Sequence, residues 1–151
     1  MKLWIHAAAG AIALITVSAF WLSTATVEVL GDAAAITMVK ACVLAGMAVL
    51  IPAMIVAGAS GLSLGRGWKS PAVAAKKRRM RIIAANGLLV LMPSAFLLNS
   101  FADAGRFDTL FTIVQAIELI AGAVNITLLS LNMRDGLSLR RKPLRPAAQA
   151  G

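Results

Sequence analysis

The fold is decided by the segment Thr109–Leu131, which reads TLFTIVQAIELIAGAVNITLLSL and contains one charged residue, Glu118. A helix needs about 20 apolar residues to cross the hydrocarbon core of a bilayer, so this segment predicts a transmembrane helix. Three further charge-poor apolar runs of similar length occupy Leu3–Val27, Ala33–Ala59 and Ile82–Phe101. We therefore predict an all-α, polytopic membrane protein whose four transmembrane helices form an antiparallel bundle.

The composition excludes a water-soluble domain. Of 151 residues, 60% are apolar and 14% are charged, and the mean hydropathy is +0.84. Soluble domains have about 45–50% apolar and about 25% charged residues. A membrane β-barrel is excluded as well, because the apolar runs are continuous and do not alternate with a period of two. A single cysteine, Cys42, allows neither an intramolecular disulfide nor a multi-cysteine metal site.

The basic residues are distributed very unequally. Thirteen of the fifteen lie at Lys2, in the loop at 60–81 or after Leu131, and the exceptions are Lys40 and Arg106. The positive-inside rule places such segments in the cytoplasm. We expect a multi-pass protein of the bacterial inner membrane with both termini cytoplasmic. Its transmembrane domain would span residues 1–135, followed by a basic, disordered tail at 136–151.

An alternative interpretation concerns the N-terminus. Residues 1–25 could form a cleaved signal peptide, because Lys2 begins an apolar run that ends in small residues. That run is longer than the 7–15 residues typical of the apolar part of a signal peptide. Cleavage would leave three helices, and the intact mass of the purified protein distinguishes the two forms.

The cluster Lys76–Arg81 allows two interpretations. It either contacts anionic lipid headgroups, with about 1 kcal/mol for each base near the surface, or only sets the membrane topology. Nucleic acid is not an expected partner, because neither basic segment contains an aromatic platform or a recognisable binding motif.

Polar residues of the fourth predicted helix share one face. Their steps of three and four residues place them on a single stripe, which comprises Gln115, Glu118, Gly122, Asn125, Leu129 and Asn132. In a membrane such a stripe must face protein or water. We predict that Glu118 pairs with Lys40 of the second helix, with Asn99 and Gln115 as hydrogen-bonding neighbours. Lys40 could alternatively reach Glu28 or Asp103.

A second polar group is expected nearer the basic side of the bundle. It comprises His6, Asn86, Asn125 and Asn132. Pro52 and Pro93 are expected to kink their helices, since each removes a backbone hydrogen bond. The amides could serve packing alone, and the Lys40–Glu118 pair could serve only to fix helix register. Intramembrane ionisable groups are nevertheless candidates for function, and His6 is a candidate axial ligand for haem.

Several motifs carry a resemblance that covers most of the chain. They are Lys76–Met80, Asn86–Gly87, Pro93, the polar stripe from Gln115 to Asn125, and Asn132–Gly136. The chain thereby resembles a group of small, uncharacterised bacterial four-helix inner-membrane proteins, and this resemblance implies the topology but no activity. In general plan it is also similar, more weakly, to four-helix membrane proteins that bind b-type haem. Those usually present several axial histidines, whereas this chain has one.

Two functions follow as hypotheses. The first is a non-enzymatic accessory or assembly subunit, or a homo-oligomer, because small residues at Ala7–Ala13 allow close helix packing. It requires no cofactor and no metal. The alternative is a small proton-coupled transport or redox protein that uses Glu118, Lys40 and His6, with haem b in the redox form. Enzymatic catalysis is not expected, because no common catalytic or phosphate-binding motif occurs in the sequence.

Overall fold

The computed structural model describes residues 2–64 and 71–141, and all regular elements within them are helices. They are α1 (Lys2–Leu30), α2 (Ala33–Leu64), α3 (Pro71–Asn86), a π-helical segment (Gly87–Leu91), α4 (Met92–Asp103) and α5 (Thr109–Arg141). The segments from α3 to α4 follow one another without a break. Four stretches are long and apolar enough to cross a membrane, and they correspond to the four predicted spans.

The helices extend beyond the predicted spans. Helix α2 continues to Leu64 and α3 begins at Pro71, so the described parts of the predicted loop 60–81 are helical. Helix α5 continues to Arg141, so the start of the predicted disordered tail is helical too, and residues 142–151 lie outside the described part. The length of an apolar run reflects the thickness of the hydrocarbon core, whereas the helix-forming Ala, Lys and Arg residues of α3 favour a helix outside it.

Two short turns form the helical hairpins. Gly31–Asp32 joins α1 to α2, and the Asp32 carboxylate accepts a hydrogen bond from the Ala35 N–H at 2.8 Å. The second turn ends at Asp108, whose carboxylate accepts one from the Phe111 N–H at 3.0 Å. Both aspartates thus cap the start of the following helix by satisfying a free backbone donor. Such short connections make each helix antiparallel to the one before it.

The irregularity expected at Pro93 takes the form of the π-helical segment. Proline has no N–H, so the helix loses one backbone hydrogen bond at this point. Immediately before it, the Met92 N–H bonds to the carbonyl of Gly87, five residues earlier. This widened turn lies between α3 and α4. Pro52, by contrast, lies inside α2 and is tolerated within one assigned α-helix.

Helix α1 occupies two notches in neighbouring helices, each opened by a glycine. The Phe20 ring lies against Gly46 of α2, where a Cβ atom would overlap it. Trp21 lies against Gly122 of α5, where a Cβ atom would come within 2.9 Å of its Cδ1 atom. Glycine is required at both positions because only its lack of a side chain allows so close an approach.

The four spans form a ring. Helix α1 packs on α2 and α5, and α4 packs on the same two helices from the other side. Helices α2 and α5 therefore lie on a diagonal, and α3 packs mainly against α5. The buried apolar residues form two small clusters, one of Val17, Ile83 and Leu129 and one of Leu98, Ala102 and Phe111.

Candidate functional site

The predicted ion pair between α2 and α5 is present. The Lys40 Nζ atom donates to Oε2 of Glu118 over 2.7 Å. Only 1% of the Lys40 side chain and 12% of the Glu118 side chain are exposed. Because α2 and α5 lie on a diagonal of the ring, the lysine side chain crosses the interior of the bundle to reach its partner. The pair thus connects two helices that make little other contact.

A second carboxylate lies near this pair. Glu28, in the last turn of α1, interacts electrostatically with both Lys40 and Glu118. Its Oε1 atom is buried and has no hydrogen-bond partner among the described residues. The sequence suggested Glu28 only as an alternative partner of Lys40, and the structure places it beside the pair instead. The cluster therefore combines two acidic groups with one basic group.

The hydrogen bonds expected from Asn99 and Gln115 to this pair are not found among the described residues. Asn99 instead donates to the carboxylate of Asp103 over 2.8 Å. The two residues are four positions apart on one helix, a spacing that brings their side chains together. Gln115 is 4% exposed, and neither of its side-chain polar atoms has a partner in the described chain. The polar stripe thus correctly predicted that Gln115 is buried. The hydrogen bonds predicted for its side chain were wrong.

A small cavity adjoins Glu118. Its volume is about 50 Å³, and it is lined mostly by apolar side chains of α1, α2, the π-helical segment and α5. A single water needs at least about 10–15 Å³ of such space and two to four polar partners. Glu118 and Thr24 are the polar groups with oxygen atoms that line it, and His6 is not among its lining residues. This cavity therefore does not extend from Glu118 to His6.

The contacts of Trp21 in this region were not predicted from the sequence. Its indole N–H donates to the carbonyl of Leu119 over 2.8 Å, immediately beside Glu118 in sequence. The ring also lines the cavity and fills the notch at Gly122. A glycine in the centre of the polar stripe was the only signal for such a contact, and it did not specify the residue that fills it.

His6 lies in a separate group near the basic end of the bundle. Its Nδ1 atom is 3.0 Å from both the Ala57 carbonyl and the Ser60 hydroxyl oxygen. A carbonyl only accepts, so Nδ1 carries the proton in this arrangement. Nε2 then faces the Lys76 ammonium group at 3.5 Å. Both ring nitrogens are thereby engaged in contacts with α2 and α3.

Asn86 and Asn125 pair with each other and not with His6. The Asn86 amide donates to the Asn125 side-chain oxygen and to the Ala121 carbonyl, each over 2.9 Å. Asn125 is 5% exposed, and its amide lies 3.5 Å from the Ile83 carbonyl. These bonds join α3 to α5 directly before the π-helical segment. The single inner group expected from the sequence is therefore divided, with His6 apart from the Asn86–Asn125 pair.

A second ion pair closes the basic end. Arg79 of α3 donates to the carboxylate of Asp135 on α5 over 2.5 Å and approaches the Asn132 side-chain oxygen at 3.4 Å. Each side chain of the pair remains about one quarter exposed, at 23% and 24%. The residues preceding the tail are thus part of the helix packing.

The described residues, 2–64 and 71–141, contain no group of three or more His, Cys, Asp or Glu side chains that could hold a metal ion. The resemblance noted from the sequence motifs is not tested by this geometry and stays a prediction. In comparisons with known proteins, the chain matches no family model, no curated protein and no solved structure.

Proposed function

We propose that this chain is a non-enzymatic, multi-pass protein of the bacterial inner membrane that acts as an accessory or assembly subunit or forms a homo-oligomer. One observation carries the proposal: three polar side chains of the bundle interior join different helices. Lys40 joins α2 to α5, Trp21 joins α1 to α5, and Asn86 joins α3 to α5. Such contacts fix the positions of helices in a membrane.

The outer surface of the bundle supports an interaction role. In an 18-residue apolar window of each of the four stretches, only 11–28% of residues are fully buried within the chain. Small residues of α1, including Ala7 and Ala8, are on this exposed surface. Small residues allow the backbones of two membrane helices to approach closely. A second copy or another membrane protein could therefore pack against α1.

The test is the assembly state in lipid. The full chain is reconstituted in nanodiscs, and its mass and any co-purified protein are measured by native mass spectrometry. We expect more than one chain in each particle, or a stoichiometric partner. Ala8→Leu should weaken the assembly because the larger side chain separates the helices. Ala85→Leu, which enlarges an exposed alanine on α3 instead, is the matched control. A strictly monomeric protein without a partner would refute the proposal.

The proposed orientation places both termini in the cytoplasm. Its support is the positive-inside rule, because Arg78, Arg79 and Arg81 lie at the same end of the bundle as His6 near the N-terminus. Reporter proteins fused after residue 151 test it. A reporter that is active only in the cytoplasm should give signal, and an alkaline phosphatase fusion should not. The opposite result would reverse the orientation and leave the assembly role untouched.

A second candidate function is proton-coupled transport through Glu118. The observation that favours it is the cavity beside Glu118, which has room for water, together with the unpartnered oxygen of Glu28. Proton flux into proteoliposomes measures it, with a pH-sensitive dye inside the vesicles. The candidate requires flux for the unaltered chain and its loss in Glu118→Gln. Equal flux in vesicles with and without the protein would refute it.

The haem-binding form of this candidate agrees poorly with the geometry. The chain has one histidine, and the Nε2 atom that would ligate iron faces the ammonium group of Lys76. Ligation would require Lys76 to move and a second axial ligand of another residue type. A purified protein that shows no Soret absorbance after haem addition would eliminate this form.

A further inference from the structure

Helix α3 distributes its cations over two faces. Lys76 and Arg79 point into the bundle, where Lys76 contacts α1 and Arg79 pairs with Asp135. Arg78 and Arg81 are exposed on the opposite side of the helix. Among the described residues neither of these two arginines takes part in an ion pair, although every acidic residue of the chain lies in the described part. Two guanidinium groups thus face outward without a counter-charge from the protein.

On the same outward surface, exposed apolar side chains begin at Ile82, the residue after Arg81. Ile82 is 43% exposed, and Leu88 and Leu89 in the π-helical segment are 61% and 71% exposed. The steps from Arg78 through Arg81 and Ile82 to Leu88 are those of one helix face. Cations followed by exposed aliphatic side chains are typical of the level at which lipid headgroups meet acyl chains. We therefore expect the boundary between lipid headgroups and acyl chains to lie between Arg81 and Ile82.

We propose that Arg78 and Arg81 bind the phosphate of an acidic phospholipid whose acyl chains lie along Ile82, Leu88 and Leu89. Three residues of helix rise about 4.5 Å, so both guanidinium groups can reach one headgroup. Arginine binds phosphate through paired N–H donors, which gives directional contacts as well as charge. An acidic protein segment would match the two cations but would leave the adjoining aliphatic surface without a partner. The site rests on the membrane location proposed above.

The test is lipid binding to the full chain in mild detergent. Phosphatidylglycerol and phosphatidylcholine with identical acyl chains are titrated separately, and the bound lipid is counted by native mass spectrometry. The unaltered chain should retain phosphatidylglycerol in preference. Arg78→Gln/Arg81→Gln should lower its apparent affinity about 30-fold, since each base near an anionic surface contributes about fivefold. Arg106→Gln removes an exposed charge at the other end of the bundle and should leave the affinity unchanged.

Several outcomes would overturn the proposal. They are equal retention of the two lipids, an equal loss in the Arg106→Gln control, or binding of an acidic peptide in place of the lipid. If the double glutamine variant does not fold, Arg78→Lys/Arg81→Lys retains the charge and should show a smaller loss with an unchanged circular dichroism spectrum. Assembly measured in nanodiscs is independent of this readout, so failure of the lipid site and failure of the assembly role are distinguishable.

Discussion

The two ion pairs between helices differ in their surroundings. Lys40–Glu118 lies in the interior, with exposed fractions of 1% and 12%, whereas Arg79–Asp135 lies at the basic end with about one quarter of each side chain exposed. An interior charge that loses its partner has no water to replace it. A partly exposed charge keeps some of its hydration when its partner is removed, so its pair is expected to contribute less. We therefore expect the position of an ion pair, more than its chemistry, to determine how much stability is lost when the pair is broken.

The largest expected effect comes from separating the interior pair. Glu118→Leu removes the carboxylate that directly contacts the Lys40 ammonium group, which is almost completely buried. We expect a loss of about 3–5 kcal/mol in the free energy of unfolding, as for other buried pairs broken on one side. Unfolding in mixed detergent micelles, followed by circular dichroism, measures it.

The double variant Lys40→Met/Glu118→Leu is the control for this loss. It removes both charges and fills the space with apolar side chains, so most of the stability should return. If the double variant is as unstable as Glu118→Leu, the loss of stability comes from the changed shape of the side chains and not from the unpaired charge. If Glu118→Leu alone is stable, Glu28 compensates for the missing carboxylate, and a Glu28→Gln/Glu118→Leu variant would show it.

The second largest loss of stability should come from overpacking the contact between Gly46 and Phe20, near the interior pair. Gly46→Ala would place a methyl group in the Phe20 ring, and we expect a loss of about 1–3 kcal/mol, as for other overpacked interiors. Gly58→Ala is the matched control on the same helix, because a Cβ atom at Gly58 meets nothing within 4 Å. Its melting temperature should stay equal or rise. Equal losses in both variants would show that glycine serves helix flexibility and not the ring contact.

Breaking the partly exposed Arg79–Asp135 pair should lower the free energy of unfolding by a smaller amount. Asp135→Asn removes the carboxylate that pairs with Arg79, and we expect a loss of about 0.2–1 kcal/mol. Because the pair is partly solvated, 0.5 M NaCl should reduce the difference between this variant and the unaltered chain. Denaturation at the two salt concentrations measures it. A loss as large as that of Glu118→Leu, unaffected by salt, would contradict the comparison.

The smallest effect should be the pH dependence of Asp108. Its hydrogen bonds with Arg106 and the Phe111 N–H hold the pKa of this carboxyl below its ordinary value of 3.8. A lowered folded-state pKa contributes stability above the ordinary value, and that contribution is lost as the pH falls through the folded-state value. Asp108→Asn keeps a capping oxygen without the charge. The variant should therefore melt slightly earlier than the unaltered chain at pH 6 and equally at low pH, whereas a gap that persists in acid would contradict this origin.

Much of the architecture was predictable from residue order. Charge-poor runs of sufficient length identified the four helices, and the 3,4 spacing of polar residues identified the face of α5 that holds Glu118. The same reasoning found the Lys40–Glu118 pair, because two opposite charges within predicted spans have few alternative partners. It did not predict that Trp21 would bond to the Leu119 carbonyl and lie against Gly122, because these contacts depend on how α1 and α5 pack. Nor did it anticipate that Asn99 would bond within its own helix.

Residue order alone fixed the number of apolar stretches of membrane-spanning length, their order and the positions of the basic residues along the chain. These properties depend on hydrophobicity, length and charge, each of which can be read along the chain. Only the tertiary structure decided which helices are neighbours, that the interior pair crosses a diagonal, and that Gly46 and Gly122 receive aromatic rings. Those features depend on the relative rotation and height of helices, which many combinations of similar apolar faces would permit and which side-chain shape selects.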